Sequence, residues 1–268
     1  MHLNWYDPVL FSLGPVQIHW YGFMYVVAFV LGGIILRILA REKFWPLPAE
    51  DIDKYIIMLI LGMFIGARLT YVLVYNWEFY SENLTDIFTV WKGGLSFHGA
   101  VAGMCFVTWV FARKRGLHFY QICDCLAVAG SQGLLWGRIG NFINGELYGR
   151  VTDSWVGISF PGGGPFPRHP SQIYEAVLEG LVIFVMLFAI HRRQRFYGVS
   201  SAAFLGLYGI FRFVVEFFRE PDPQLGYYLN FLTMGQILSL LMIPLCILIL
   251  MNARRLNLRN PIIPVREN

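Results

Sequence analysis

Eight ionisable side chains sit inside or at the edge of long apolar runs: Arg68, His98, Asp124, Arg138, Glu175, Glu179, Arg212 and Glu216. Such groups are costly in hydrocarbon and persist where they pair with one another or take part in chemistry. The segment Gly137 to Arg150, GRIGNFINGELYGR, adds two asparagines, a glutamate, four glycines and a second arginine at the end of one run. Arginine offers a planar fork of donors suited to phosphate. Glycine lets the backbone approach a ligand closely. Asn141 and Asn144 lie three and six residues after Arg138 and share its face if the helix continues. Tyr208, Arg212 and Glu216 recur every four residues and line one helical face. That row has two compatible readings. One is an ion pair tying helices together; the other is an arginine held by a carboxylate while it faces a lipid phosphate. The chemistry available to these residues is the stabilisation of an anionic, phosphate-bearing group at a membrane edge.

The elements that must position these residues follow from composition. Of 268 residues, 56% are hydrophobic and 14% charged, against about a quarter charged in soluble domains. This excludes a disordered chain, a coiled coil and an ordinary cytosolic enzyme. The net charge is +4, and the basic residues lie in separate clusters between apolar runs, which does not suggest nucleic acid. Residues 8–36 and 223–253 contain no Asp, Glu, Lys or Arg, and a helix needs about 20 apolar residues to cross a bilayer. The pattern predicts an all-α polytopic membrane protein with seven transmembrane helices, near 16–39, 55–75, 94–112, 119–140, 171–190, 198–217 and 231–251. All of residues 1–268 then form a single integral membrane domain. The first 14 residues lack a basic n-region and a cleavage site follows nowhere nearby, so the first span is expected to be retained.

Lys and Arg set the orientation. Fourteen fall on one side: Arg37, Arg41, Lys43, Lys54, Arg113, Lys114, Arg115, Arg192, Arg193, Arg195, Arg254, Arg255, Arg259 and Arg266. Five fall on the other: Lys92, Arg138, Arg150, Arg168 and Arg219. Seven spans then place the N-terminus outside and the C-terminus in the cytoplasm. Arg138, His98, Glu175, Arg212 and Glu216 lie in the outer half, five groups from four helices at one depth, whereas Asp124 lies near the cytoplasmic end in a structural role. Residues 141–170, rich in Gly and Pro with a β-prone run at Trp155–Phe160, are expected to form a small outward-facing, irregular or partly β cap. Trp77, Phe79, Tyr80, Phe88 and Trp91 read mainly as headgroup-level anchors. Gly62/Gly66, Gly99/Gly103 and Gly133/Gly137 read as close-packing motifs. Cys105, Cys123, Cys125 and Cys246 read as packing residues.

GRIGNFINGELYGR closely resembles the signature of the prolipoprotein diacylglyceryl transferase family. So do His19-Trp-Tyr-Gly-Phe-Met-Tyr25, Gly93-Gly-Leu-Ser-Phe-His-Gly99, Arg168-His-Pro-Ser-Gln-Ile-Tyr-Glu175, Tyr208-Gly-Ile-Phe-Arg212 running on to Arg219, and Met234-Gly-Gln-Ile-Leu-Ser239, in order along nearly the whole chain. Ala100 departs from the pattern, since many members carry a second glycine after His-Gly, and the stretch between Arg150 and Arg168 is short beside some relatives. The resemblance implies a bacterial inner-membrane enzyme. It would move the diacylglyceryl group of phosphatidylglycerol to the lipobox cysteine of a prolipoprotein signal peptide, releasing glycerol 1-phosphate without metal or cofactor. Membrane lipid and the signal peptide are then the partners, and the active site faces the periplasm. Arg138 would bind the lipid phosphate and Arg212 would stabilise the leaving group. His98 would act as general base with Tyr208 beside it. Glu146 and Glu216 would orient arginines, Tyr21, Asn141, Asn144 and Gly149 would line the headgroup pocket, and Arg219 would join them in binding substrate.

Without the resemblance, a transporter or lipid-binding protein for anionic substrates competes. It requires alternating access, and both the missing internal repeat and the one-sided position of the polar cluster argue against it. An intramembrane protease lacks its aspartate pair or framed serine here. Because a fork differs from a point charge, Arg138→Lys is expected to lose most turnover; near-normal turnover in a steady-state assay would refute the phosphate-binding role.

Overall fold

A computed structural model of the chain describes residues 7–14, 16–89, 93–220, 228 and 232–260. Trp91, Lys92, Phe231 and Arg266, used above for anchoring, orientation and a span boundary, lie outside these. The described residues group into two compact units, one containing residues 1–38 and 124–268, the other residues 39–123.

The first unit opens with a hairpin of β1 (Val9–Leu13) and β2 (Val16–His19), antiparallel with Leu13 opposite Val16. The hairpin corrects the expected first span, which began at 16. The stretch Val16-Gln-Ile-His alternates apolar with polar, the strand period, so the helix α1 (Trp20–Arg41) begins only after it. Helix α5 (Phe119–Ile143) follows in the same unit from residue 124 onward. Residues 171–191 form one helix: α6 (Ser171–Glu175), a π-helical stretch (Ala176–Val182) and α7 (Ile183–His191). Then come α8 (Val199–Val215) and α9 (Met234–Arg255). Thr233 caps α9 in a capping box with Gln236, which is why that helix starts at a sharp boundary.

Between α5 and α6 the expected cap holds isolated bridges rather than strands. Val151 and Ile158 both pair with Arg168, and Gly149 pairs with Arg219. Of the β-prone run at 155–160, Ile158 is the residue that makes a bridge. Gly145, Gly162 and Gly164 take positive φ at its turns, where a Cβ would be strained.

At the far end of the same helices Asp124 is fully buried. It accepts from Ser201 Oγ at 2.6 Å, Ser201 N at 2.9 Å, Gly198 N at 2.7 Å and Gln194 Nε2 at 2.9 Å. The carboxylate thus caps the start of α8, where orphan N–H groups point, consistent with its structural reading.

The second unit contains α2 (Glu50–Thr70), extended by a π turn to Tyr75, α3 (Trp77–Glu82), a 3₁₀ turn (Leu84–Phe88) and α4 (Phe97–Lys114). Helices α2 and α4 pack through glycines that face each other. A Cβ on Gly66 would strike Gly99 O, and one on Gly103 would strike Gly62 O. Two of the three glycine motifs therefore act as expected. The third does not: Gly137 has open space where a Cβ would sit. Arg68, in the last turn of α2, donates to four carbonyl contacts, on Ile87 at 2.8 Å, Asp86 at 2.7 Å, Gly93 at 2.7 Å and Gly94 at 3.0 Å. It is a loop-tying residue, with Tyr80 under its guanidinium. Tyr80 is buried and Trp77, Phe79 and Phe88 are exposed.

Among the described residues, four helices are long and apolar enough to cross a membrane: Trp20–Arg41, Glu50–Tyr75, Ser171–His191 and Met234–Arg255; Val199–Val215 is apolar but shorter. Helices α4 and α5 carry more polar groups. Large apolar side chains stay exposed along these helices, such as Val26, Val30 and Ile34 on α1 and Leu241, Leu245 and Leu248 on α9. At spacings of three or four they form stripes suited to lipid. Overpacking a close contact costs about 1–3 kcal/mol, whereas a side chain entering open space costs less than about 0.5 kcal/mol. Gly103→Leu should therefore lower the unfolding midpoint in detergent clearly and Gly137→Leu hardly at all; equal effects would contradict this packing.

Candidate active site

Ion pairs and a hydrogen bond join α5, α6, α8 and the start of α9 in the first unit. This gathers the C-terminal ends of α5 and α8 with the N-terminal ends of α6 and α9. Glu175, in the last residue of α6, has no exposed surface. Its Oε2 lies 2.6 Å from Arg138 Nε on α5 and 3.7 Å from Arg212 Nη1 on α8. Its Oε1 accepts from Arg219 Nη1 at 3.0 Å. One carboxylate thus meets three arginines from three parts of the chain. Burying it uncompensated would cost several kcal/mol, so these side chains must assemble together or not at all.

Glu216 is the second carboxylate of the cluster. Its Oε2 lies 2.7 Å from Arg212 Nη2 and 3.7 Å from Arg219 Nε, and its Oε1 accepts from Thr233 Oγ1 at 2.8 Å. Gly235 makes room for it, because a Cβ there would come within 2.7 Å of the carboxylate. The Arg212–Glu216 ion pair read from the four-residue spacing is therefore present. A third carboxylate, Glu179, sits one turn below Glu175, fully buried, with Oε1 3.8 Å from Arg212 Nη1. The π-helical stretch carries Glu179; such bulges are frequent at functional sites.

Arg138 keeps part of its fork unspent. Nε is committed to Glu175 and Nη1 donates weakly to Asn141 Oδ1 at 3.4 Å; among the described residues Nη2 has no partner. Asn141 Nδ2 and Asn144 Nδ2 donate to Glu146 Oε1 at 2.9 and 3.2 Å. The polar chain therefore runs unbroken from Glu146 through Asn141 and Arg138 to Glu175. Tyr21, on α1, packs its ring against Gly140 and places its hydroxyl 3.1 Å from that of Tyr25. Tyr208 lies one turn before Arg212 on α8, half-buried and stacked on Phe204.

Gly149 is held by its backbone contacts. Its N donates to His169 O at 2.8 Å while Arg150 N donates to Phe218 O at 2.9 Å. A Cβ at 149 would run into Phe218 O and lie 2.8 Å from His169 O. Three chain segments cross there, and glycine is the residue that fits. Arg150 Nε donates to Arg219 O at 2.7 Å, fixing the segment that carries Arg219. Arg168 Nε donates to Gly163 O at 2.6 Å and its Nη1 pairs with Glu220 at 3.0 Å. Burial lowers the His169 imidazole below its usual range, which favours the neutral ring beside Tyr174.

His98 belongs to the second unit, in the first turn of α4. Its ring is exposed and meets the edge of Phe97; among the described residues it has no hydrogen bond. Sequence reasoning named Glu175 and Glu179 among the ionisable groups inside spans and Arg150 within the Gly137–Arg150 segment, but gave none of them a task of its own, and it gave none to Thr233 or Gly235. The available signal was charge balance. Three arginines at one depth need three carboxylates, and after Glu216 the spans hold Glu175 and Glu179.

The fold and cluster define a multi-pass helical membrane protein that holds cationic side chains within its apolar body at one end. Comparison narrows this class. The sequence model of the family described as prolipoprotein diacylglyceryl transferase matches residues 8–252, and the chain belongs to that family. It is 48% identical over 233 residues to a protein of Geobacter sulfurreducens, covering 87% of this chain and 90% of that one. It is 47% identical over 240 residues to a protein of Nitratidesulfovibrio vulgaris strain DP4, covering 89% and 91%. A protein of Francisella tularensis subsp. mediasiatica is 44% identical over 251 residues, covering 93% and 92%. All three are named phosphatidylglycerol–prolipoprotein diacylglyceryl transferase.

Removing one member of a buried ion pair costs about 3–5 kcal/mol. Glu175→Ala should accordingly destabilise the protein by that order in detergent unfolding, while Glu146→Ala, at an exposed position, should cost about 1 kcal/mol or less. Similar losses for the two would dissolve the claim that Glu175 holds the cluster.

Proposed function

We propose that this chain transfers the diacylglyceryl group of phosphatidylglycerol to the lipobox cysteine of prolipoproteins, the first step of lipoprotein maturation. Family membership supports the reaction, and one observation supports its location. Arg138 is anchored through Nε to a buried carboxylate while its outer nitrogen Nη2 is unspent. A guanidinium held by one edge and open at the other is prepared for a phosphate.

The step requires the cysteine sulfur to attack the lipid glycerol carbon as the bond from that carbon to the phosphate oxygen breaks. The thiol gives up its proton, the new carbon–sulfur bond is a thioether, and glycerol 1-phosphate leaves carrying a proton. In this reading Arg138 holds the phosphate and Arg212 meets the charge that grows on the leaving group. Charge-directed donors in a dry site are worth roughly 3–4 kcal/mol each. Glu216 aims Arg212 and Arg219. Asn141, Asn144 and Glu146 extend the polar rim, Tyr21 and Tyr208 flank it, and Gly149 keeps the loop carrying Arg150 tight. His98 is the proposed base, and its ring is exposed.

The same reading has seven spans, with the N-terminus periplasmic, the C-terminus cytoplasmic and residues 141–170 as a periplasmic cap, in the inner membrane. Helices in all seven expected segments and the asymmetry of Lys and Arg support it. Both substrates reach the site from lipid, phosphatidylglycerol between helices and the signal peptide at the outer face.

Purified protein incubated with phosphatidylglycerol and a lipobox peptide should add one diacylglyceryl mass to the peptide, and Arg138→Ala, still folded, should lose at least about 100-fold in rate. No mass gain on a peptide that a relative modifies would overturn the reaction; full activity in Arg138→Ala would move the phosphate site.

A further inference from the structure

The acceptors around Arg212 are unequally committed. Glu175 Oε2 faces Arg138 at 2.6 Å and Glu175 Oε1 holds Arg219 at 3.0 Å. Glu216 Oε1 holds Thr233 and its Oε2 faces Arg212 Nη2 at 2.7 Å. Glu179 differs. Both its oxygens are buried and neither takes a hydrogen bond among the described residues. The buried Arg212 Nη1 also lacks a hydrogen bond, and it stands 3.7 Å from Glu175 Oε2 and 3.8 Å from Glu179 Oε1. An unspent donor and an unspent carboxylate therefore face each other about 1 Å beyond hydrogen-bond length.

The backbone that carries Glu179 is packed tightly against α5. The next residue, Gly180, lies so close to α5 that a Cβ would come within 2.6 Å of Leu135 N, one turn below Arg138. The helix that carries the carboxylate is thereby seated directly against α5.

We propose that Glu179 is a positioning residue for Arg212: it takes over the Nη1 edge of the guanidinium when Nη2 turns from Glu216 to the phosphate of the substrate. The inference rests on the reading above that Arg212 meets that phosphate. Glu216 can release Arg212 without being stranded, because Thr233 and Arg219 still hold it. Glu175 can take Nη1 only by sharing the oxygen that faces Arg138. Glu179 alone among the three accepts Arg212 with no other pair disturbed, and so fixes the angle of the fork as charge builds on the leaving oxygen. A misplacement on the order of 1 Å at a reacting centre costs up to about 100-fold.

The test uses the full-length protein in detergent with phosphatidylglycerol and a lipobox peptide. Glu179→Gln keeps shape and removes the charge. It should lower kcat roughly ten- to hundredfold with KM for phosphatidylglycerol within about threefold of the parent and an unchanged unfolding midpoint. In a cycle with Arg212→Lys, the two losses should be far from multiplicative, since each removes the same contact. Should Glu179→Gln fail to fold, Glu179→Asp keeps the charge but draws it back, and the same kcat loss is expected. Parental kcat in Glu179→Gln, multiplicative losses in the cycle, or misfolding of both variants would overturn the proposal. If Arg212→Ala itself retains activity, the phosphate role of Arg212 falls first. If Arg212→Ala is inactive and Glu179→Gln is parental, the role of Glu179 alone falls.

Discussion

The first unit depends on the carboxylate of Glu175. It is fully buried in a helix whose neighbours are apolar, and a lone ionised carboxylate there would be untenable. Arg138 and Arg219 occupy its two oxygens, and these arginines come from α5 and from the segment after α8. Glu216 repeats the arrangement with Arg212 and the cap of α9. The helix ends are thus connected through charges that cannot be separated cheaply in an apolar medium. That medium strengthens each attraction and raises the cost of each vacancy. The same constraint leaves function its opening: an arginine tied at one edge presents the other.

The two ends of this unit solve different problems. At one, Asp124 gathers donors from Ser201, Gly198 and Gln194 and closes the start of α8. Both oxygens of Asp124 accept hydrogen bonds, which suits a structural fastening. At the other, Glu179, Arg212 Nη1 and one oxygen of Asn144 remain without hydrogen bonds. Buried polar atoms left unpaired are rare and call for a reason. They lie where a phosphate-bearing substrate is proposed to bind, and a resting site that satisfied all of its donors would have none to offer.

The second unit holds together differently. Its helices α2 and α4 meet through Gly62, Gly66, Gly99 and Gly103, so backbone approaches backbone, the route open to helices that gain nothing from hydrophobic contrast in lipid. Arg68 binds the chain beyond α2 by its carbonyls. Here an intramembrane-edge arginine is structural, while Arg138 has donors to spare. The difference lies in what each fork is already bonded to.

The sequence by itself determined the helical architecture and the family. Those properties follow from local runs: apolar stretches of bilayer length, a four-residue repeat at Tyr208, Arg212 and Glu216, and the motif from Gly137 to Arg150. It also led to some wrong expectations, placing Val16–His19 in a helix and giving Gly137 a packing role. The hairpin is a local pairing whose alternation Val16–His19 carries, whereas an open helix face is decided only by partners distant in the chain. Tertiary structure alone decided which carboxylate serves which arginine, that Gly149 lies at a crossing of three segments, and that Glu179 is uncommitted. Pairing among three arginines and three glutamates at one depth is a matter of ångströms between helices. Sequence spacing reports the face and the height of a side chain on its own helix, not the distance to a neighbour.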